Sequence, residues 1–228
     1  YLGLSGLKVS SYCLGTMTYG ETTEENDAHL QISEAFSSGI NFIDTAEMYP
    51  TCPIRKETSG ETEKIIGNWI NNNKDKRKDI ILATKVVGNG FKYIRNGGPI
   101  NKETIKVALH GSLKRLKTDY IDLYQLHWPN RGSYHFRSYW NYKPEKQDSK
   151  NITDEFLDII NTLNDFKKEG LIRAIGVSNE TCWGVMKLNE IIKDIENLCI
   201  ASIQNEYSLM FRLFDNDFNE LSINENIP

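Results

Sequence analysis

Two alternating periodicities constrain this chain more than any other feature. Short apolar runs of strand type recur at residues 12–14, 42–44, 80–85, 120–125, 174–178 and 201–205. Between them the apolar residues fall at helical spacing. The first helical stretch, 24–38, carries Ala28, Ile32, Ala35 and Phe36 on one face, with Gly39 placed to close it. The second, 61–72, carries Ile65, Ile66, Trp69 and Ile70. The third follows Asn101 as N-cap and carries Ile105, Ala108, Leu109 and Leu116. The fourth follows Thr153, with Asp154 and Glu155 in the first turn where the helix dipole favours acids, and ends at Gly170. The fifth, 182–194, carries Val185, Met186, Ile191 and Ile192. Strand, helix, strand in this order demands right-handed crossovers and a parallel sheet. The runs are almost continuously apolar, as expected of strands covered on both faces. Ahead of them, the Ser5-Gly6 turn signal between Leu2-Gly3-Leu4 and Leu7-Lys8-Val9 predicts a short hairpin.

Two parallel architectures use such strands, an open doubly wound sheet and a (β/α)8 TIM barrel. No Gly-x-Gly-x-x-Gly follows the first strand, and Gly88-Asn89-Gly90 and Gly97-Gly98 are isolated loop glycines, which weakens the open nucleotide-binding sheet. A barrel takes eight strands and typically ~250 residues; about six are visible here in 228 residues. With Tyr1 at the start and 219–228 reading as mid-chain sequence, the expectation is a piece of a longer barrel.

Composition narrows the partners. A formal net charge of −4 gives no electrostatic reason to expect nucleic acid or membrane, and 39% hydrophobic residues supply a sizeable core. No apolar run has the length of a membrane span, and no signal peptide is visible. Cys13, Cys52, Cys182 and Cys199 lie far apart with no Cys-x-x-Cys among them. That pattern points to reduced thiols in a cytoplasmic protein rather than to disulfides or a metal site. Cys52 falls in a polar loop and is expected to be exposed. The stretch 71–79 is charged and reads as a solvated helix end and turn. Residues 129–151 form a long loop holding Tyr134, Phe136, Tyr139, Trp140 and Tyr142 among Arg131, Arg137 and Lys143. Such interleaving grips single strands of nucleic acid in some proteins. In an acidic chain it reads better as a folded loop over the sheet that shapes a pocket.

In a parallel barrel the C-terminal strand ends meet on one face, and that face carries chemistry. The strand ends here offer Gly15-Thr16-Met17, then Asp44 with Tyr49 just beyond, then Lys85, His127-Trp128, Ser178-Asn179 and Gln204-Asn205. A phenol with a pKa of about 10 donates protons poorly near neutrality, and a lysine held close stabilises the phenolate and lowers that value. Asp44 pairing with Lys85 keeps the ammonium charged and oriented, and His127 is placed to hydrogen-bond a reacting oxygen or relay the proton. The set suits protonation of a developing alkoxide. Taken singly, an Asp–Lys pair is an ordinary buried ion pair and a lone histidine an ordinary structural one; joint placement at consecutive strand ends turns the reading towards chemistry. Other constellations fare worse. His29 and His110 fall in helices and His135 in the long loop, so no histidine cluster points to a metal. Ser178 lacks the Gly-x-Ser-x-Gly elbow. A Glu47–Asp44 carboxylate pair for glycoside hydrolysis is weak, because Glu47 has no strand position to anchor it.

At these residues the chain resembles the aldo-keto reductase family. The resemblance is carried by Gly15-Thr16-Met17, Asp44-Thr45-Ala46-Glu47-Met48-Tyr49, Thr84-Lys85, the run from Leu113 to Leu123, His127-Trp128-Pro129, Ile175-Gly176-Val177-Ser178-Asn179 and Gln204-Asn205-Glu206-Tyr207-Ser208. Within the family it is most similar to the Tas-like branch, at Ala46-Glu47-Met48-Tyr49-Pro50 and Val177-Ser178-Asn179-Glu180-Thr181. The resemblance implies a single (β/α)8 barrel domain over 1–228, short of its C-terminal strands, and NADPH-dependent reduction of aldehydes or ketones. It assigns Tyr49 as general acid, Lys85 as its partner, Asp44 as the partner of Lys85, and His127 as orienter of the substrate carbonyl. Ser178, Asn179 and Gln204 match positions that hold the nicotinamide carboxamide, Thr16 and Met17 lie near the cofactor, and Trp128 with the aromatic loop forms the substrate wall. The family's seventh and eighth strands supply the aromatic that stacks on nicotinamide and the bases that grip the adenosine 2′-phosphate; nothing after Leu213 matches them. The expectation is weak or no NADPH binding by this chain alone, with an open apolar seam that could drive self-association. A second reading within the resemblance is a non-catalytic regulatory or binding subunit of the potassium-channel β-subunit type. Those proteins carry Asn where this chain has His127, which favours the enzyme.

Overall fold

Each apolar run bounded by turn residues becomes a strand, and each amphipathic stretch becomes a helix laid against it. The computed structural model describes residues 1–228. Its strands are β1 (Cys13–Gly15), β2 (Phe42–Asp44), β3 (Ile81–Val86), β4 (Ile121–Leu126), β5 (Ile172–Ser178) and β6 (Ile200–Gln204). The helices are α1 (Glu25–Ser37), α2 (Glu61–Asn72), α3 (Lys102–Leu116), α4 (Ser149–Lys168), α5 (Cys182–Ile192) and α6 (Asp217–Glu225). The six strands lie in one sheet in chain order, every neighbouring pair parallel. That order never reverses, so the sheet is not doubly wound; it is a curled half-barrel of the (β/α)8 kind.

The curl divides the core in two. Outside the sheet, 36 buried residues form one cluster between strands and helices, including Ile43, Leu82, Tyr124 and Ile175 from the strands and Ile66, Leu109 and Ile160 from the helices. Inside it, Ile81, Ala83, Leu123, Ala174 and Ala201 from four successive strands meet Leu2 and Leu7. Burying one such aliphatic side chain contributes about 1.5–3 kcal/mol. The amino-terminal segment is therefore a plug under the sheet and not the expected hairpin. Leu2 N donates to Leu7 O at 2.8 Å and Ser5 N to Leu2 O at 3.2 Å, closing a turn there; Leu2 and Leu7 turn inward instead of pairing as strands, while Leu4 stays exposed.

Three other expectations need correction. α4 begins at Ser149, a full turn before Thr153, because the Asp148 carboxylate caps it by accepting from Lys150 N at 2.9 Å and Asn151 N at 3.2 Å. The stretch 71–79 ends in a 3-10 turn, Lys74–Asp79, whose Arg77 is buried rather than solvated. Its guanidinium donates to Asp122 Oδ2 at 2.8 Å and Tyr120 O at 2.7 Å. The same aspartate accepts from Arg173 Nη1 at 2.5 Å and Leu82 N at 3.0 Å, tying β3, β4 and β5 together at their amino-terminal ends. Finally, α6 lies where no helix was expected; it buries Phe218 and Leu221 and is joined to α5 by Asn189 Nδ2 donating to Glu225 Oε2 at 2.8 Å. Gly39 closes α1 at φ 86° and Asn101 caps α3, both as the sequence indicates. Cys52 is exposed, and all four cysteines are unpaired. No helix is long and apolar enough to cross a membrane.

Candidate active site

Parallel pairing brings the chemical residues together before any side-chain contact is considered. β2 ends at Asp44, but its ladder to β3 runs on, with Thr45 N donating to Ala83 O at 3.0 Å and Glu47 N to Lys85 O at 3.3 Å. Tyr49 then has its carbonyl fixed by Gly60 N at 3.0 Å, at the start of α2. His127 continues the next ladder, donating from its backbone N to Val86 O at 3.0 Å. Thr16 is buried and its hydroxyl donates to Asp44 O at 2.7 Å, tying the end of β1 to β2.

At the centre is Lys85, 1% exposed. Its Nζ donates to Asp44 Oδ2 at 2.6 Å and to Thr45 O at 2.8 Å, and stands 3.5 Å from the Tyr49 hydroxyl. The His127 ring meets Tyr49 edge-on, with centroids 5.7 Å apart at 73°. Two amides complete the aspartate's shell: Gln125 Nε2 donates to Oδ1 at 3.0 Å and Gln204 Nε2 to Oδ2 at 3.0 Å. Gln125 escaped the sequence reading. Its signal was an amide inside an apolar strand, on the inward parity it shares with Leu123. Gly176, its register partner on β5, leaves room for it: a Cβ there would stand 3.1 Å from Gln125 Cγ and 3.0 Å from Ser202 Oγ.

Charges in this shell follow from burial and neighbours. Burial pulls the Lys85 ammonium down, but Asp44 and Tyr49 push it up and prevail, so it stays protonated. Burial pushes the Tyr49 phenol up; Lys85 pulls it down and Asp44 pushes it up again. The net direction is upward, a correction to the expectation that Lys85 lowers the phenol's pKa: burial outweighs the lysine. The phenol holds its proton at neutral pH. Burial drives His127 well below the ordinary imidazole range and the Lys85 charge adds to the effect, so the ring is neutral. Its Nδ1 is buried without a partner.

The next two strand ends join the same network. Asn179, left-handed at φ 52°, donates from Nδ2 to His127 O at 2.9 Å and to Ser178 Oγ at 3.0 Å. Ser178 Oγ donates to Gln204 O at 2.7 Å. A cleft of about 670 Å³ opens over the tyrosine and histidine, walled by Met17, Met48, Phe91, Trp128 and Phe136. The Trp128 indole N–H donates to Asn89 O at 3.2 Å, and its ring meets Phe91 and Phe136 edge-on with centroids 6.0 and 5.9 Å away. Gly88 makes that placement possible, since a Cβ on it would fall 2.6 Å from the indole nitrogen.

The long loop after β4 folds onto this mouth. Arg131 pairs with Glu180, with Nη1 to Oε2 at 3.0 Å, and Ser133 Oγ donates to Asn179 O at 2.8 Å. That latch carries Phe136 to the cleft, while Trp140 stays 89% exposed. Glu47 is anchored after all. It accepts from Val87 N at 2.6 Å and pairs with Arg95, and it is absent from the cleft lining. No second carboxylate faces Asp44 from that position. Met48 and Phe91 were also missed, being ordinary apolar residues until the loops place them.

A nicotinamide carboxamide needs both donors and acceptors. The side-chain oxygens of Asn179 and Gln204 carry no protein hydrogen bond while their amide nitrogens are held in place, which suits that end of the cofactor. The segment after β6 is different: residues 205–228 hold one base, Arg212, against five acids, and Arg212 is paired with Asp215. It offers no free cation to a 2′-phosphate.

A curled sheet of parallel strands with Asp, Tyr, Lys and His at three successive strand ends defines a class, and comparison with known proteins agrees. The model of the Aldo/keto reductase family matches residues 12–228: this chain belongs to the aldo/keto reductase family. It is 42% identical to Protein tas of Escherichia coli (strain K12) over 226 residues, 98% of this chain and 64% of that protein. It is 34% identical to the uncharacterized oxidoreductase YrpG of Bacillus subtilis (strain 168), over 93% of this chain and 58% of YrpG. Norsolorinic acid reductase B of Dothistroma septosporum is 28% identical over 93% of this chain and 50% of that protein. The chain thus spans between half and two thirds of the length of these relatives.

Proposed function

We propose that this chain carries the proton-donating part of an NADPH-dependent oxidoreductase that reduces aldehydes or ketones to alcohols. The observation behind the reading is the buried Lys85 ammonium, bonded to Asp44 at 2.6 Å and lying 3.5 Å from the Tyr49 hydroxyl. Relatives named as oxidoreductases and reductases support it. The four unpaired cysteines fit a cytoplasmic location.

NADPH, when bound, would supply the hydride; Ser178, Asn179 and Gln204 would hold its carboxamide, and Thr16 and Met17 would lie near it. The chain's own residues govern the proton. A substrate carbonyl in the cleft takes its orientation from neutral His127, which donates a hydrogen bond without giving up charge. Trp128 and its aromatic neighbours exclude water around it. As negative charge develops on the carbonyl oxygen, Tyr49 gives its phenolic proton to that oxygen. The tyrosinate left behind is stabilised by Lys85, whose charge Asp44 holds in place, and solvent returns the proton. Positioned acids of this kind contribute about 10²–10⁴-fold.

The test is NADPH oxidation with an aromatic aldehyde at high cofactor concentration. Turnover by the unaltered chain and a loss of at least about 100-fold in Tyr49→Phe are expected. Full turnover in the variant would falsify the assignment of Tyr49.

A further inference from the structure

One wall of the cleft is unexplained by proton transfer. The segment between β3 and α3 brings Asn89, Gly90 and Phe91 to it. Left to itself, this segment is costly to hold, because Arg95 (φ 45°) and Asn96 (φ 57°) both sit in the left-handed region that a Cβ disfavours. Asn89 is held by the Trp128 indole at 3.2 Å, and Arg95 fastens the far side of the segment. Its Nη1 donates to Glu47 Oε2 at 2.5 Å and its Nη2 to Oε1 at 2.7 Å, a bidentate pair, and Nη2 also donates to Val87 O at 2.9 Å. Glu47 is 7% exposed and also accepts from Val87 N. It stands two residues before Tyr49, and its own backbone N–H is bonded to Lys85 O. A single carboxylate therefore joins the strand that bears the lysine, the loop that bears the phenol and the loop that bears Phe91.

We propose that the Glu47–Arg95 pair sets substrate selectivity by clamping segment 88–98, so that Phe91 closes with Trp128 on the aromatic part of a carbonyl substrate. The inference rests on the reductase reading above. Glu47 and Arg95 are positioning residues: they touch no reacting atom and act through the loop they fasten. A pair that merely stabilises the fold would affect all substrates alike, whereas this clamp matters only to a substrate long enough to reach Phe91.

The experiment compares Arg95→Met, Arg95→Lys and the double variant Glu47→Gln with Arg95→Met, which leaves no charge buried alone. One readout needs no turnover: trypsin cleavage after Lys92, exposed on the clamped segment. Release of the clamp in Arg95→Met and the double variant is expected to speed that cut by about tenfold. The second readout is steady-state NADPH oxidation with 4-nitrobenzaldehyde and with propanal. The same variants are expected to raise KM for the aromatic aldehyde by about tenfold while kcat and the propanal KM hold, with Arg95→Lys partly rescuing both readouts. Unchanged cleavage at Lys92, or an equal loss on both aldehydes, overturns the proposal. Absence of turnover in the unaltered chain counts against the reductase reading instead, and faster cleavage at Lys92 then still supports the clamp.

Discussion

At the scale of single residues, His127 shows most clearly how burial sets chemistry. Its imidazole is held neutral by its surroundings, with a folded-state pKa below the ordinary 6.5. His135, bonded to Glu180 O at 3.0 Å, is lowered too, mainly by burial. For a group so depressed, the unfolded chain binds a proton that the folded chain refuses. Stability is full above about pH 6.5 and falls as pH drops towards the folded pKa, by at most about 1.4 kcal/mol per pH unit for each imidazole. Urea unfolding between pH 7 and 5 is therefore expected to show a shallower pH slope in His127→Gln than in the unaltered chain; equal slopes would contradict the assigned protonation state. Asp44, Lys85 and His127 were legible because each stands at the end of an apolar run, and Tyr49 because it follows Asp44 in the same loop. Gln125 and Glu47 were not, since their importance depends on which way a side chain points. That direction is fixed by strand parity and by Arg95, a residue 48 positions from Glu47 along the chain.

At the scale of elements, helices are read from their stripes and misread at their ends. α1, α2, α3 and α5 carry enough apolar residues on one face to declare themselves. α6 buries only Phe218 and Leu221 and has no side-chain cap, too little contrast to stand out in a polar segment. The start of α4 turned on a competition between two plausible caps, which Asp148 wins because two backbone N–H groups reach its carboxylate. The contact between α2 and α3 depends on a missing side chain. A Cβ on Gly67 would lie 2.1 Å from Arg115 O and 2.9 Å from the Leu116 backbone. Replacing a mid-helix glycine by alanine ordinarily gains about 1 kcal/mol, but overpacking against backbone costs about 1–3 kcal/mol or more. The clash wins here, and Gly67→Ala is expected to lower the urea midpoint. A raised midpoint would mean that the two helices have room to part.

For the whole molecule, order along the chain is also order across the sheet, and the parallel pairing could be read from alternation alone. The curl was legible from the strand count and the missing glycine fingerprint; what escaped was that Leu2 and Leu7 plug it against the inward residues of β3 to β6. The cofactor groups are unevenly spread over this architecture. Amides and hydroxyls suited to a nicotinamide gather at the ends of β5 and β6, whereas the acidic stretch beyond β6 has its one base neutralised by Asp215. Calorimetric titration of the 228-residue chain is expected to show weak NADPH binding and little preference over NADH. A nanomolar Kd for NADPH would show that another part of the chain grips the phosphate.

Trp128 gives the cleft an optical voice. Its indole is wedged between Phe91 and Phe136, with the neutral His127 ring 4.8 Å away. Of the other tryptophans, Trp69 is sealed in the helix layer, while Trp140 and Trp183 are in contact with solvent away from the cleft lining. Replacing those two exposed indoles by phenylalanine would leave an emission spectrum from one buried, unresponsive reference and one sensor. Any molecule that dries the mouth of the cleft would then announce itself as a blue shift, with no dye attached and no reaction required.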